Sequence, residues 1–242
     1  MSTINDLSGE HASGPAASHT TDSSVQKDIA LMQGWLDNKL DRRTVAQFVP
    51  GPGIAKLTLT FDPSKLQAAL SECLRRQNYQ GSMQTQGFSA LALTRRPGQT
   101  EMSENDLSGR YWLRDKDSYE EEAREELVDE AAFSEFNPEF GDTYFAFVHS
   151  ELSKRFRIGR MRVLSKPVYN CNSWHRDPEP RIHIPITSNP GSLFIVNHHV
   201  THLPADGSVY FTDTRGYHTA INGGEADRVH IVAALPDGLV TE

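Results

Sequence analysis

Trp174–Ser188 reads WHRDPEPRIHIPITS, and its second half decides the fold. Ile182, Ile184 and Ile186 alternate there with Arg181, His183 and Pro185, the period of a strand that buries one face. Runs of the same kind surround it: IGRMRVLS (158–165), SLFIVNHH (192–199), VTHLPAD (200–206), SVYFTDT (208–214), YHTAIN (217–222) and DRVHIVAALP (227–236). They are short, alternating or β-branched, and separated by Gly, Pro, Asn and Asp. That spacing predicts an all-β sandwich or barrel over the C-terminal part of the chain.

Upstream of Phe156 the pattern changes. Residues 1–24 are rich in Ser, Thr, Gly and Ala and carry few large apolar side chains, so burial cannot offset their ordering entropy and a disordered tail is expected. VQKDIALMQGWLDNKL (25–40) suggests a short helix around Ile29, Leu31, Met32 and Trp35, and AKLTLTFD (55–62) alternates as a strand. DPSKLQAALSECLRR (62–76) places Asp62 as N-cap, Pro63 at the first helical position and Leu66, Leu70 and Leu74 on one face. GFSALALTRR (87–96) is a second alternating strand. GDTYFAFVHSELSKRF (141–156) carries Tyr144, Phe147, Val148, Leu152 and Phe156 at the spacing of a core-packing helix. The acidic DSYEEEAREELVDEAAF (117–133) reads as a solvated helix. Helices first and strands second imply helices packed on one side of a β core. The expected organisation is a single domain over 25–242, with support from 25–156 and the β core at 157–236.

Composition narrows the function classes. The 242 residues suffice for a sizeable core, and a net charge of −8 argues against a nucleic-acid surface, which needs clustered Lys and Arg. Cys73 and Cys171 form no CxxC pair and read as free thiols in a reducing compartment. The N-terminus has no apolar leader and no run of apolar residues is long enough to span a bilayer. A cytoplasmic protein without membrane or nucleic-acid partners is expected, of unspecified oligomeric state.

The polar residues of the opening stretch suggest chemistry. In extended chain His175 and Asp177 point to one face, so an imidazole and a carboxylate can meet one ion. HxD alone is a weak signal, and a third ligand is required. His218, at the start of a late strand, completes two histidines and one carboxylate, the facial set that leaves open positions on non-haem Fe(II). Ten residues beyond His218 stands Arg228, among apolar neighbours where an unpaired guanidinium is costly. A dicarboxylic acid reaching inward from the metal would pair with it bidentately.

WHRDPEPRIHIPITSNPGSLFIVN, THLPADGSVYFTDTRGYHTAIN and DRVHIVAAL, taken in order, resemble the aspartyl/asparaginyl β-hydroxylase family of Fe(II)- and 2-oxoglutarate-dependent dioxygenases. The resemblance covers roughly residues 140–236. It implies a mainly β fold with flanking helices around a double-stranded β-helix, also called a jelly roll or cupin-like core. It further implies His175, Asp177 and His218 as catalytic metal ligands and Arg228 as the binder of the distal carboxylate of 2-oxoglutarate. Arg181 and His183, from the R-x-H-x-P element, would line the co-substrate pocket. Fe(II), 2-oxoglutarate and O2, with ascorbate in support, are the implied cofactors. The substrate would be an amino acid, free or within a peptide or protein. Asp177 sets the chain apart from the animal-type members, which lack the carboxylate ligand, and leaves the substrate class open.

Other readings stand beside this one. His183 is also readable as a core histidine, and Asn222 as the anchor of a turn with Gly223 and Gly224. His230 shares the face of Arg228 and reads as structural or supporting. The histidines of NHHVTH (His198, His199 and His202) read as a surface hairpin in preference to a zinc cluster. Arg160, Arg162 and Arg215 are candidates for a substrate carboxylate, with Trp174 or Tyr217 as a pocket wall. The competing class is a non-catalytic cupin-like protein that binds a metal or ligand, and it has no need of Arg228.

Overall fold

The computed structural model describes residues 23–37, 53–80, 88–107, 112–114, 121–123 and 128–236. The tail expected over residues 1–24 lies almost wholly outside the described residues. The larger sheet runs in the order β1 (Ile54–Thr60), β13 (Ser208–Thr212), β10 (Arg181–Thr187), β15 (Arg228–Ala234), β7 (Met161–Lys166), β2 (Ser89–Ala92). The second sheet has seven strands but shorter ones, and so is the smaller in residues; it follows β12 (His199–His202), β11 (Ser192–Val196), β14 (His218–Asn222), β9 (His175–Arg176), β4 (Trp112–Arg114), β5 (Glu121–Ala123), with β8 (Asn170–Cys171) also on β14. A short pair, β3 (Thr94–Arg95) and β6 (Glu135–Phe136), stands apart.

From β7 onward the chain winds to and fro: β7 is in the larger sheet, β9 in the smaller, β10 in the larger, β11 and β12 in the smaller, β13 larger, β14 smaller, β15 larger. Every pairing among these strands is antiparallel. That winding is a double-stranded β-helix, the jelly-roll arrangement the sequence led us to expect.

Alternation explains where the core sits. Ile182, Ile184 and Ile186 of β10, Val209 and Phe211 of β13, Val229, Ile231 and Ala233 of β15, and Met161 and Val163 of β7 form one buried cluster with the helices. Their alternates, Arg181, His183, Arg228, Val232, Arg162 and Leu164, line a cavity between the sheets. Because successive side chains leave a strand on opposite faces, an apolar outer face and a polar inner face follow from one sequence pattern.

The helices cover that outer face. Helix α1 (Ser23–Leu36) lies along β1, and α2 (Pro63–Arg76) lies against β10. Asp62 caps α2 as expected, its Oδ1 accepting from the backbone N–H of Ser64 (2.9 Å) and Lys65 (3.2 Å). The buried residues of α2 are Leu66, Ala69 and Cys73, with Leu70 and Leu74 half-buried beside them. A four-residue helix, α3 (Glu104–Leu107), precedes α4 (Tyr144–Ser153), which packs on α2. In α4 the buried aromatic is Phe145, while Phe147 is 46% exposed against expectation. Phe147 instead sits on the surface with Tyr144, the two rings stacked at 5.3 Å. No helix among the described residues is long and apolar enough to cross a membrane.

The acidic segment departs most from its expected form. Where described, it is strand Glu121–Ala123 and a single 3-10 turn, Glu130–Ala132, in place of a solvated helix. Glu130 is 1% exposed and paired with arginines far along the chain. The β11–β12 hairpin, by contrast, has the expected form. Asn197 and His198 both take positive φ (47° and 68°), the signature of a two-residue type I′ turn, and His198, His199 and His202 are exposed.

Candidate metal centre

Neighbouring strands bring the predicted ligands together. His175 on β9 lies directly opposite His218 on β14, with ring centroids 4.2 Å apart. Asp177 follows β9, its backbone N–H held by the carbonyl of Thr214 at 2.8 Å. The ligating atoms of His175, Asp177 and His218 all lie within 4.8 Å of one another, and all three residues are buried. Among the described residues no other trio of metal-ligating side chains converges in this way.

The donor set fits a metal ion. Nδ1 of His175 faces the carbonyl of Ser173 at 2.7 Å and Nδ1 of His218 that of Gly216 at 3.1 Å. Each Nδ1 therefore carries the proton and leaves the Nε2 lone pair for an ion. Burial, reinforced by His175, brings the His218 imidazole down to about 3 against the pull of Asp177, so it stays neutral. The Asp177 carboxylate is divided: Oδ2 accepts from Arg181 Nε at 3.1 Å, while Oδ1 is buried with no hydrogen-bond partner. Asp177 Oδ2 lies 3.9 Å from His218 Nε2 and Oδ1 has spare accepting capacity, so the carboxylate with two imidazole lone pairs suits a divalent cation, and two histidines with one carboxylate suit Fe(II).

Arg228 supplies the second half of the site. It faces Lys166 across the β15–β7 pair, is 4% exposed, and lines the same cavity as the three ligands. One of its Nη atoms has no hydrogen-bond partner, and among the described residues its guanidinium enters no ion pair. Burial alone lowers it to about 9. Such a group is matched when a carboxylate enters. His183 lines the cavity too, packed on Phe194 with Nδ1 unsatisfied and burial holding it neutral. His230, edge-on to His183 at 5.9 Å, lies outside the cavity wall.

Arg181 reaches the cavity, but its fork is engaged. Nη2 donates to Glu130 Oε1 at 2.9 Å while Nε holds Asp177. Glu130 is gripped as well by Arg160, through Nε to Oε2 at 2.8 Å and Nη2 to Oε1 at 2.6 Å. Burial by itself would raise the Glu130 carboxyl, but Arg160, Arg181 and Arg162 overcome it and hold it at about 2. Its stabilising contribution is therefore complete above the ordinary value of 4.5 and is lost as pH falls toward 2. Over that window Glu130→Gln is expected to remove about 3 kcal/mol of acid-dependent stability from urea-unfolding curves. Parallel pH profiles for parent and variant would refute the buried pairing.

Of the other cations, Arg162 lines the cavity, Arg160 belongs to Glu130, and Arg215 pairs with Asp213 at 2.7 Å. Trp174 is exposed beside His198 and lies off the cavity wall, as does Tyr217. Asn222 is structural: its Nδ2 donates to the carbonyls of Lys166 (3.2 Å), Pro167 (3.0 Å) and Ala226 (2.9 Å). Sequence reasoning missed Glu130 and Lys166. Lys166 is buried, donates to Asn170 at 2.9 Å and to Asn172, and is brought to about 7 by burial and the charge of Arg228. A lysine at an inward position of the alternating MRVLSK was the available signal.

No protein-family model and no curated protein matches the chain. Solved structures similar to it include an oxidoreductase of the 2OG-Fe(II) oxygenase family from Burkholderia pseudomallei, at 15% identity over 75% of this chain and 83% of that one, TM-score 0.43. A prolyl-4-hydroxylase from Pseudomonas putida is 12% identical over 75% and 91%, TM-score 0.43. A cupin domain from Bordetella pertussis is 19% identical over 31% and 79%, TM-score 0.28. At these values the fold assignment rests on the chain's own strand order, a double-stranded β-helix with a buried His-Asp-His set between its sheets.

Proposed function

We propose that the chain is an Fe(II)- and 2-oxoglutarate-dependent dioxygenase that hydroxylates an amino acid, free or as a residue of a peptide or protein. The observation that carries this reading is the buried, unpaired guanidinium of Arg228 on the cavity that holds the His175, Asp177 and His218 ligands. A metal-binding protein without a carboxylate ligand gains nothing from such a cation, whose burial is costly unless paired. The ordered motifs that resemble the aspartyl/asparaginyl β-hydroxylases support the same reading, and that finer kinship is part of the proposal.

His175 and His218, each through Nε2, and the Asp177 carboxylate would hold the ion. Arg228 would anchor the far carboxylate of 2-oxoglutarate, and His183, uncharged, would stand beside it. Phe88, Leu164, Phe194, Ala220 and Val232 give the cavity apolar walls that keep water from the reacting atoms. Iron, when bound, supplies the oxidising chemistry: 2-oxoglutarate and O2 yield succinate and CO2 while one oxygen atom enters a substrate C–H bond.

Purified chain loaded with Fe(II), with ascorbate and O2, is expected to form succinate from 2-oxoglutarate. A panel of free amino acids and short peptides should contain a member that stimulates it and gains the mass of one oxygen. Iron-loaded protein that produces no succinate, even uncoupled, and develops no visible charge-transfer band with 2-oxoglutarate under anaerobic conditions would identify a non-catalytic cupin instead.

A further inference from the structure

Lys166 and Arg228 face each other across the β7–β15 pair, and both are buried, at 2% and 4% exposed. Side by side and away from water two like charges disfavour each other, and lysine is the partner able to give up its proton. The surroundings of Lys166 suit the uncharged form. Its Nζ donates to Oδ1 of Asn170 at 2.9 Å and to Oδ1 of Asn172, two amide acceptors that match the two N–H bonds of a neutral amine. Burial, with the charge of Arg228, accordingly brings the group down to about 7. The backbone here is pinned, since Asn222 Nδ2 donates to the Lys166 carbonyl at 3.2 Å and to that of Pro167 at 3.0 Å. Asn172 lines the same cavity as Arg228. An amine of nucleophilic character is thus held at the cavity's edge, next to a cation with an unpartnered Nη atom.

We propose that Lys166 is a carbamylation site: CO2 adds reversibly to its Nζ, and the carboxylate so formed pairs with Arg228. The amine lone pair attacks the carbon of CO2, a C–N bond forms as one C=O π pair moves onto oxygen, and the nitrogen gives a proton to solvent. No oxidant or reductant is needed. Two facing cationic side chains are thereby replaced by an ion pair, the form in which a buried guanidinium is tolerated. The modification requires neither iron nor 2-oxoglutarate and is independent of the proposed activity. Where that activity operates, the modified lysine and the far carboxylate of 2-oxoglutarate compete for one cation, so CO2, a product of turnover, would restrain it.

Chemical trapping reads the site directly. The full chain, metal-free and in mildly alkaline buffer, is equilibrated with isotopically labelled bicarbonate and CO2 and treated with triethyloxonium ion, which converts a carbamate into a stable ester. Peptide mass spectrometry is expected to find the labelled ester on the peptide containing Lys166, in excess over every exposed lysine. Arg228→Met should lower the labelled fraction about tenfold or more, the cost of losing a buried hydrogen bond to a charged group. CO2 should also raise the melting temperature of the parent by roughly 2–4 °C, the shift one such pair gives a chain of this size, and leave that of Lys166→Met unmoved. In iron-loaded protein CO2 should raise the 2-oxoglutarate Kd several-fold in the parent and not in Lys166→Met. No labelled ester at Lys166 of the parent, a result that needs no variant to fold, would overturn the proposal. A melting temperature raised equally in Lys166→Met would show bicarbonate bound to Arg228 as a free ion and overturn the covalent step. Undiminished label in Arg228→Met would remove Arg228 as the partner, and labelled protein with an unmoved Kd would overturn the competition.

Discussion

Arg228→Met is expected to weaken 2-oxoglutarate binding by about 100-fold or more and, at the same time, to raise the melting temperature of the ligand-free protein. The two effects have one cause. In the unliganded chain the guanidinium is buried with an unsatisfied Nη atom and no anion, and burial has lowered it to about 9. Methionine fills a similar volume without a charge to desolvate, so the empty fold should gain on the order of 1 kcal/mol or more. The bound state loses a bidentate, charge-assisted pair in a water-poor cavity, and breaking such a pair costs about 3–5 kcal/mol. Titration of the anaerobic iron-loaded protein, with a thermal melt of the free protein, reads both. A lower melting temperature with undiminished 2-oxoglutarate binding would make Arg228 a structural residue and withdraw the main support for the dioxygenase reading.

His218→Ala is expected to abolish turnover and to erase the stabilisation that Fe(II) gives the parent chain. A ligand that binds only the folded state stabilises it by about 3 kcal/mol at a hundred times its Kd. The parent should show that gain, and the variant none at the same metal concentration. Two remaining ligands cannot hold the ion, because His175 and Asp177 lose the partner that closes the set. His175→Ala should behave in the same way. Retained iron-dependent stabilisation in either variant would refute the ligand assignment, whatever the activity.

The β core was legible because its signals are local. Alternation in RIHIPIT and RVHIVAA marks strands without reference to anything distant, and the turn residues between the runs mark their ends. His175 and Asp177 could be paired from spacing alone. His218 needed the expectation of a β scaffold, which the register now gives by setting it opposite His175. What escaped the sequence was pairing at long range. Glu130 stands in a run of acids that looks solvated, and only the fold reveals partners 30 and 51 residues away in Arg160 and Arg181. Phe145 and Phe147 lie two apart in one helix, so they face different sides: Phe145 enters the core and Phe147 stays at the surface beside Tyr144, a choice that depends on packing from distant parts of the chain. Arg181 was expected at the co-substrate because it follows the motif, but its donors to Glu130 and Asp177 could not be read from one strand.

The larger sheet carries two interleaved texts. Odd-numbered letters of β10, Arg181 and His183, address the ligands, and even-numbered letters, Ile182, Ile184 and Ile186, address the helices. The free energy of folding is therefore written mainly in residues that never meet a substrate. Substitutions at inward positions can rewrite what the cavity accepts while the helix-covered face keeps the strands in place. A shift of a single residue in register is the one error that corrupts both texts at once, since it would turn the isoleucines into the site and the arginine and histidine into the core.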